Sequence, residues 1–298
     1  MAATSILVAA LSALMFAASH AGEIAIYWGQ DGNEGTLQEA CETGNYGIVI
    51  ISFLSTFGRG QDPKLNLAGH CDTTYGTCTS LSEGIRHCQS KSIKVFLSLG
   101  GDSSTYSLDS RKDADDLAAH IWDSYLGGRS DSRPLGEVVL DGVDFDMEQG
   151  SHDFYGYLAT KLQEYSTHQR RVYLSAAPQC PYPDASLGGA IEIVGFDYVW
   201  IQFYNNPPCQ FLEGQQDPAR NLVESWMNKW APNCKDAKLF LGLPASRGAA
   251  GSGFIPASDL ISNVLPKIRE TKSYGGVMLW SRSHDKIEQY SSQIKSAV

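Results

Sequence analysis

The segment Leu140-Asp141-Gly142-Val143-Asp144-Phe145-Asp146-Met147-Glu148 places four carboxylates within eight residues. Side chains on a strand alternate between faces, so Asp144, Asp146 and Glu148 point one way while Val143, Phe145 and Met147 point the other. Neighbours in that file of acids stand about 6.5 Å apart along the chain. Three carboxylates so close cannot all ionise cheaply. Repulsion and burial should leave at least one holding a proton at neutral pH. A protonated carboxylic acid beside a carboxylate is equipment for general acid catalysis on a glycosidic bond. A solvated acidic face on an edge strand would show the same alternation, and three acids could instead hold Ca²⁺ or Mg²⁺. The flanking apolar runs argue for a covered central strand and favour catalysis. Asp141 has the opposite parity, and a structural role is expected for it.

Such a file needs a scaffold that buries one face of the strand and opens the other. Eight apolar, β-rich runs recur along the chain, at Glu23–Trp28, Gly47–Phe53, Ile93–Leu99, Glu137–Met147, Arg171–Ala177, Asp197–Phe203, Lys238–Leu243 and Gly275–Trp280. Most are dense in Val, Ile, Leu and Phe, as strands covered on both faces are. Amphipathic helical patterns lie between most of them, over Ser80–Lys91, Asp113–Tyr125, Asp153–Tyr165, Asp217–Trp230 and Ser258–Glu270. Asp113 and Asp153 read as helix-start signals. Eight strands alternating with helices predict a single-domain α/β fold, a (β/α)8 barrel, with a doubly wound open sheet as the alternative. In such barrels chemistry sits where the strands end. The polar and aromatic residues closing the runs are Tyr27, Gln30, Gly100–Asp102, Asp144–Glu148, Gln202–Asn205 and Trp280.

Charge and leader narrow the function classes. With 23 Lys and Arg against 33 Asp and Glu, the net charge of −10 repels phosphate backbones and anionic membranes. Met1–Ala21 carries no acid, Lys or Arg, and its apolar stretch Ile6–Ala18 is too short to span a bilayer. Ser19 and Ala21 occupy the −3 and −1 places of a signal-peptidase site. Residues 1–21 are therefore expected to be removed, leaving 22–298 as the domain. An N-terminal core helix is the alternative, disfavoured because a strand pattern starts at Glu23. A secreted chain can keep disulfides. The cysteines number seven, at 41, 71, 78, 88, 180, 209 and 234, so at least one stays unpaired within the chain. Cys71 and Cys78 lie in a Gly/Thr/Asp-rich loop and could close a small ring. No Asn-x-Ser/Thr sequon occurs.

Asp-Gly-Val-Asp-Phe-Asp-Met-Glu, residues 141–148, resembles the DGxDxDxE signature of family 18 glycoside hydrolases, the chitinases. Essentially the whole chain after the leader looks like the plant class III, hevamine-type members. Residues 25–30 (AIYWGQ), 66–71 (NLAGHC), 98–101 (SLGG), 202–209 (QFYNNPPC) and 277–281 (VMLWS) carry that likeness. The resemblance implies an endochitinase acting on β-1,4-linked N-acetylglucosamine. Glu148 would protonate the leaving oxygen while the substrate's own acetamide carbonyl attacks, giving an oxazolinium ion and retention. Asp146 would orient the acetamide, Asp144 would share a proton with Asp146, and Tyr204 would donate its hydroxyl to the acetamide oxygen. Trp280 would floor the site under the reacting sugar, and Tyr27, Gln30, Asn66, Gln202 and Asn205 would line the cleft. The resemblance further implies disulfides Cys41–Cys88, Cys71–Cys78 and Cys180–Cys209, with Cys234 free. No cofactor and no metal are expected. The expected protein is a secreted monomer, with the vacuole as the alternative compartment, working on chitin and chito-oligosaccharides with no nucleic-acid or membrane partner. Some relatives also cleave peptidoglycan.

Three places depart from the family pattern. Asp102 stands where many relatives have a small residue, and an acid there could shift the pH profile. Gln149 follows the acid where His is common, and Ser281–Lys286 is unusually polar. Two other readings keep the same fold: a lectin, storage or glycosidase-inhibitor protein, and an acidic surface that stores Ca²⁺. The presence of Glu148, Asp146 and Tyr204 favours the enzyme. Calorimetry showing no heat at millimolar Ca²⁺ would dismiss the ion store.

Overall fold

A computed structural model describes residues 22–102, 105–150, 152–168 and 170–298. The expected leader, 1–21, lies outside the described residues. The strands are β1 (Glu23–Trp28), β2 (Ile48–Gly58), β3 (Gln61–Leu65), β4 (Lys94–Gly100), β5 (Thr105–Tyr106), β6 (Gly142–Asp146), β7 (Tyr173–Ala176), β8 (Tyr198–Gln202), β9 (Lys238–Pro244) and β10 (Tyr274–Trp280). Eight of them, in the order β1-β2-β4-β6-β7-β8-β9-β10, pair in parallel around a ring. Because β1 pairs with both β2 and β10, the sheet closes, which excludes the open alternative. The fold is a (β/α)8 barrel.

Alternation divides the apolar residues into two cores. Ala25, Tyr27, Ile48, Ile50, Phe96, Trp200, Phe240 and Met278 fill the barrel. Val143, Phe145 and Met147 join the layer between sheet and helices. Asp144 and Asp146 therefore point into the barrel, as the period-two reading expects. Asp141, on the other parity, accepts from the Val95 N–H and the Gln89 side-chain amide, and so ties β4 to the helix before it.

The run Glu137–Met147 is only partly strand. Val138 and Leu140 are buried, but they wrap the end of helix Arg111–Tyr125. The Leu140 N–H donates to the Tyr125 carbonyl, and the Arg133 guanidinium gathers the carbonyls of Asp123, Leu126 and Val138. Apolar burial without a partner strand looks the same in sequence. That helix starts two residues before Asp113, because Ser110 caps it by accepting from the Asp113 N–H. Helix Tyr155–Glu164 begins two residues after Asp153 and has no side-chain cap.

Two expected helices are interrupted. Wide π turns occupy Trp226–Trp230 and Leu260–Val264, each closely followed by a proline, Pro232 and Pro266. A proline inside a helix lacks an N–H and crowds the carbonyl one turn back, and a widened turn relieves that crowding. Residues 281–286 are firmly held: Arg282–Glu288 is helical, and buried Asp285 accepts from the hydroxyls of Tyr46 and Ser291. The three disulfides pair Cys41 with Cys88, Cys71 with Cys78 and Cys180 with Cys209, at Cα separations of 5.4, 4.9 and 5.9 Å. Cys234 is free and buried, and burial pushes its thiol up to about 11.

Candidate active site

Asp146 and Gly100 face each other across the β4–β6 ladder. Gly100 has φ 106°, and a Cβ there would lie 2.3 Å from the Asp146 carbonyl oxygen. The next residue, Gly101, has φ 87°, and a Cβ there would press on the Phe53 ring at 2.9 Å. Only glycine lets β4 end so close to the acid-bearing strand. Beyond it opens a cleft of about 460 Å³ lined by residues that include Gln30, Asn66, Asp102, Asp146, Glu148, Gln202, Tyr204, Asn205 and Trp280.

Asp144 is fully buried beneath that cleft. Its Oδ2 accepts from the Tyr27 hydroxyl at 2.7 Å and the Ser98 hydroxyl at 2.6 Å. Its Oδ1 accepts from the Ser175 hydroxyl at 2.6 Å and the Trp200 indole N–H at 2.7 Å. Burial raises its pKa, and these four donors work against that rise. All four groups are donors, so they favour the carboxylate form of Asp144. Donors crowding Asp144 also have the wrong polarity for a cation held jointly by the three acids. Tyr27 is corrected from cleft lining to buried support: its hydroxyl serves Asp144 while its ring meets Trp280 edge-on at 5.4 Å. Tyr27→Phe leaves one carboxylate site unfilled, and a loss of roughly 1–3 kcal/mol in urea unfolding is expected.

One step up the strand, Asp146 is 4% exposed and accepts from the Gln202 amide at 3.0 Å. Burial first, then the charges of Glu148 and Asp144, hold it well above the usual carboxylate range. Half-buried Glu148 is raised to about 7, by desolvation first and then by Asp102 and Asp184. Its backbone N–H donates to the Tyr106 hydroxyl at 2.7 Å, and that of Gln149 does so at 3.0 Å. Those bonds end the strand and aim Glu148 along the cleft. Asp102→Asn removes a negative charge beside Glu148. The alkaline limb of kcat/KM is expected to move to lower pH by a fraction of a unit, and an unmoved limb would contradict that electrostatic link.

Tyr204 follows β8, is nearly buried, and its hydroxyl stays protonated because burial and the charges of Asp146 and Glu148 raise it far above its usual range. Trp280 closes β10 and stacks on Phe53 at 6.0 Å. Gln30 donates to the carbonyls of Ser52 and Asn66 at 2.8 and 3.0 Å. Asn205, at φ 57°, accepts from the backbone of Gly251 and Ser252 and so holds the next loop at the rim.

Sequence reasoning missed Phe53, Gln179 and Asn206 in the lining, and Asp184 as a charge near Glu148. Phe53 closes its own strand run, so the strand-end rule would have found it. Asp184 lies in the loop after β7, where it accepts from the N–H groups of Gln179, Ser186 and Leu187.

The profile described as Glycosyl hydrolases family 18 matches residues 23–253. An acidic endochitinase of Vitis vinifera is 54% identical over 94% of this chain and 93% of its own. The solved ICChI chitinase of Ipomoea carnea is 53% identical, with a TM-score of 0.89 over 93% of this chain and 100% of that one. The xylanase and α-amylase inhibitor protein XAIP-II of Scadoxus multiflorus is 42% identical, with a TM-score of 0.86 over 93% and 99%.

Proposed function

This chain belongs to family 18 of the glycosyl hydrolases, and on that premise we propose that it is an endochitinase cleaving β-1,4-linked N-acetylglucosamine polymers with retention. The observation that carries the proposal is Glu148, a cleft carboxyl raised to about 7, set beside Asp146 and Tyr204. Below about pH 7 Glu148 holds its proton and can give it to the departing glycosidic oxygen. The acetamide oxygen of the same sugar attacks the anomeric carbon as that bond breaks, closing an oxazolinium ring. Asp146 meets the acetamide N–H as positive charge grows there, and the Tyr204 hydroxyl donates to the acetamide oxygen. Glu148, now a carboxylate, then takes a proton from the water that opens the ring. Two attacks on one carbon return the original β configuration. Asp144 stays below as the buried anchor of the strand. Its part is to hold negative charge beneath Asp146.

The sign of the pH dependence follows from the direction of the Glu148 shift. Deprotonation removes the acid, so kcat is expected to fall as pH rises through about 7. The likeness to XAIP-II favours one other reading, an inhibitor of glycosidases on the same barrel. Hydrolysis of chitin hexamer by the purified protein between pH 3 and 8 separates them. Internal cleavage supports the enzyme, and binding without cleavage supports the inhibitor or a lectin.

Three disulfides fit an oxidising compartment, and no helix among the described residues is long and apolar enough to cross a membrane. Secretion of a monomer to the cell exterior, or to the vacuole, is part of the proposal, as is a role in defence against chitin-walled organisms. Clearing of a bacterial wall suspension would read the peptidoglycan activity.

A further inference from the structure

Glu34 is a carboxylate only 1% exposed that no step above uses. Its Oε1 accepts from the backbone N–H groups of Gly29 at 2.6 Å and Asp31 at 3.1 Å, the two residues that flank Gln30. The same oxygen meets His70 Nε2 at 3.0 Å. Its other oxygen is buried with no partner. His70 in turn packs its ring on that of Trp28 at 4.1 Å, four residues beyond Asn66. One carboxylate thus joins two irregular loops, residues 29–35 and 66–70, each of which contributes a residue to the cleft. The Gln30 amide closes the same junction from the cleft side by donating to the Asn66 carbonyl.

We propose that Glu34 and His70 form a positioning pair that sets the Gln30–Asn66 wall of the cleft, and so the affinity for long chito-oligosaccharides. The proposal rests on the endochitinase reading for the identity of the ligand. Burying a carboxylate is costly unless its charge is used. Here it fixes backbone on both sides of Gln30, where no strand ladder does so. Ala68 at φ 42° and Gly69 at φ 89° show how far the second loop departs from regular backbone. Asp146 ends β6 and Glu148 stands two residues beyond it, supported separately through Tyr106, Gln202 and the Asp144 cluster. Loosening the wall should therefore weaken binding of sugars beyond the reacting one and leave bond cleavage intact.

The test compares wild type, Glu34→Gln, His70→Leu and His70→Gln on chitin hexamer and on a fluorogenic chitobioside that reports only the sites next to Glu148. The expected result is a KM for hexamer raised about 5–10-fold in Glu34→Gln and His70→Leu, the loss of about one hydrogen-bonded contact. Their kcat should stay within about twofold, and their chitobioside kinetics should be unchanged. His70→Gln, which restores an N–H donor, should recover part of the hexamer KM. Equal losses on both substrates, or a folded His70→Leu with wild-type KM, would overturn the proposal. Should Glu34→Gln fail to fold, the two His70 variants carry the test. Calorimetry with hexamer gives the same ratio as an affinity. If wild type binds hexamer but does not cleave it, the endochitinase reading falls, and the variants' affinities still decide this one.

Discussion

Glu148→Gln is expected to lower kcat on chitin hexamer by about 10²–10⁴-fold while hexamer affinity stays within a few fold. The substitution keeps the length and shape of the side chain and removes its transferable proton. The backbone there is anchored independently, since the Glu148 and Gln149 N–H groups both donate to the Tyr106 hydroxyl. Little movement is therefore expected, and the loss should fall on the chemical step. Below pH 7 the wild-type acid is already protonated, so assays at pH 5 compare a ready acid with none. Calorimetry on the variant measures binding without turnover. A variant within tenfold of wild-type kcat would remove Glu148 from the role of acid.

Asp146→Ala should cost about 10²–10³-fold in single-turnover rate, with a smaller change in affinity. Asp146 is the buried neighbour of Glu148, and among the described residues its side-chain hydrogen bond comes from the Gln202 amide. Gln202 also donates to the Ala177 carbonyl at 3.0 Å, so it stays held when the carboxylate is gone. The function expected to be lost is the proposed meeting of Asp146 with the acetamide N–H as charge appears there. Water replacing the side chain would solvate that charge without orienting the attacking oxygen. A normal single-turnover rate in this variant would contradict the substrate-assisted route, even if Glu148 proved essential.

The alternation along β6 was legible because a strand repeats every two residues, whatever lies beside it. Val143 and Phe145 on one side, with Asp144 and Asp146 on the other, follow from spacing alone. The barrel strands were legible for a similar reason, since burial on both faces leaves continuous apolar runs. What surrounds Asp144 was not legible. Its donors Tyr27, Ser98, Ser175 and Trp200 come from four other strands, and only closure of the barrel brings them together. That same closure moved Tyr27 from the cleft to the layer beneath it. β3 escaped notice because Gln61–Leu65 is short, polar and partly exposed, with no apolar face to mark it. The late start of the strand expected over 137–147 has a different cause. Burial of Val138 and Leu140 came from a helix end, and composition does not distinguish that from a sheet.

Asp102 shows how a single departure from a family pattern acquires physical content. In sequence it was an extra acid near the strand ends. In the fold it lines the cleft, and its charge is the strongest influence on Glu148 after burial. It helps keep the acid protonated towards neutral pH.

The most direct test of the account is the anomeric form of the first products released from chitin hexamer, read by NMR or chiral-phase chromatography before mutarotation. Retention through the acetamide predicts β-anomers at the earliest times. α-Anomers would mean direct attack by water and would contradict the roles given to Asp146 and Tyr204.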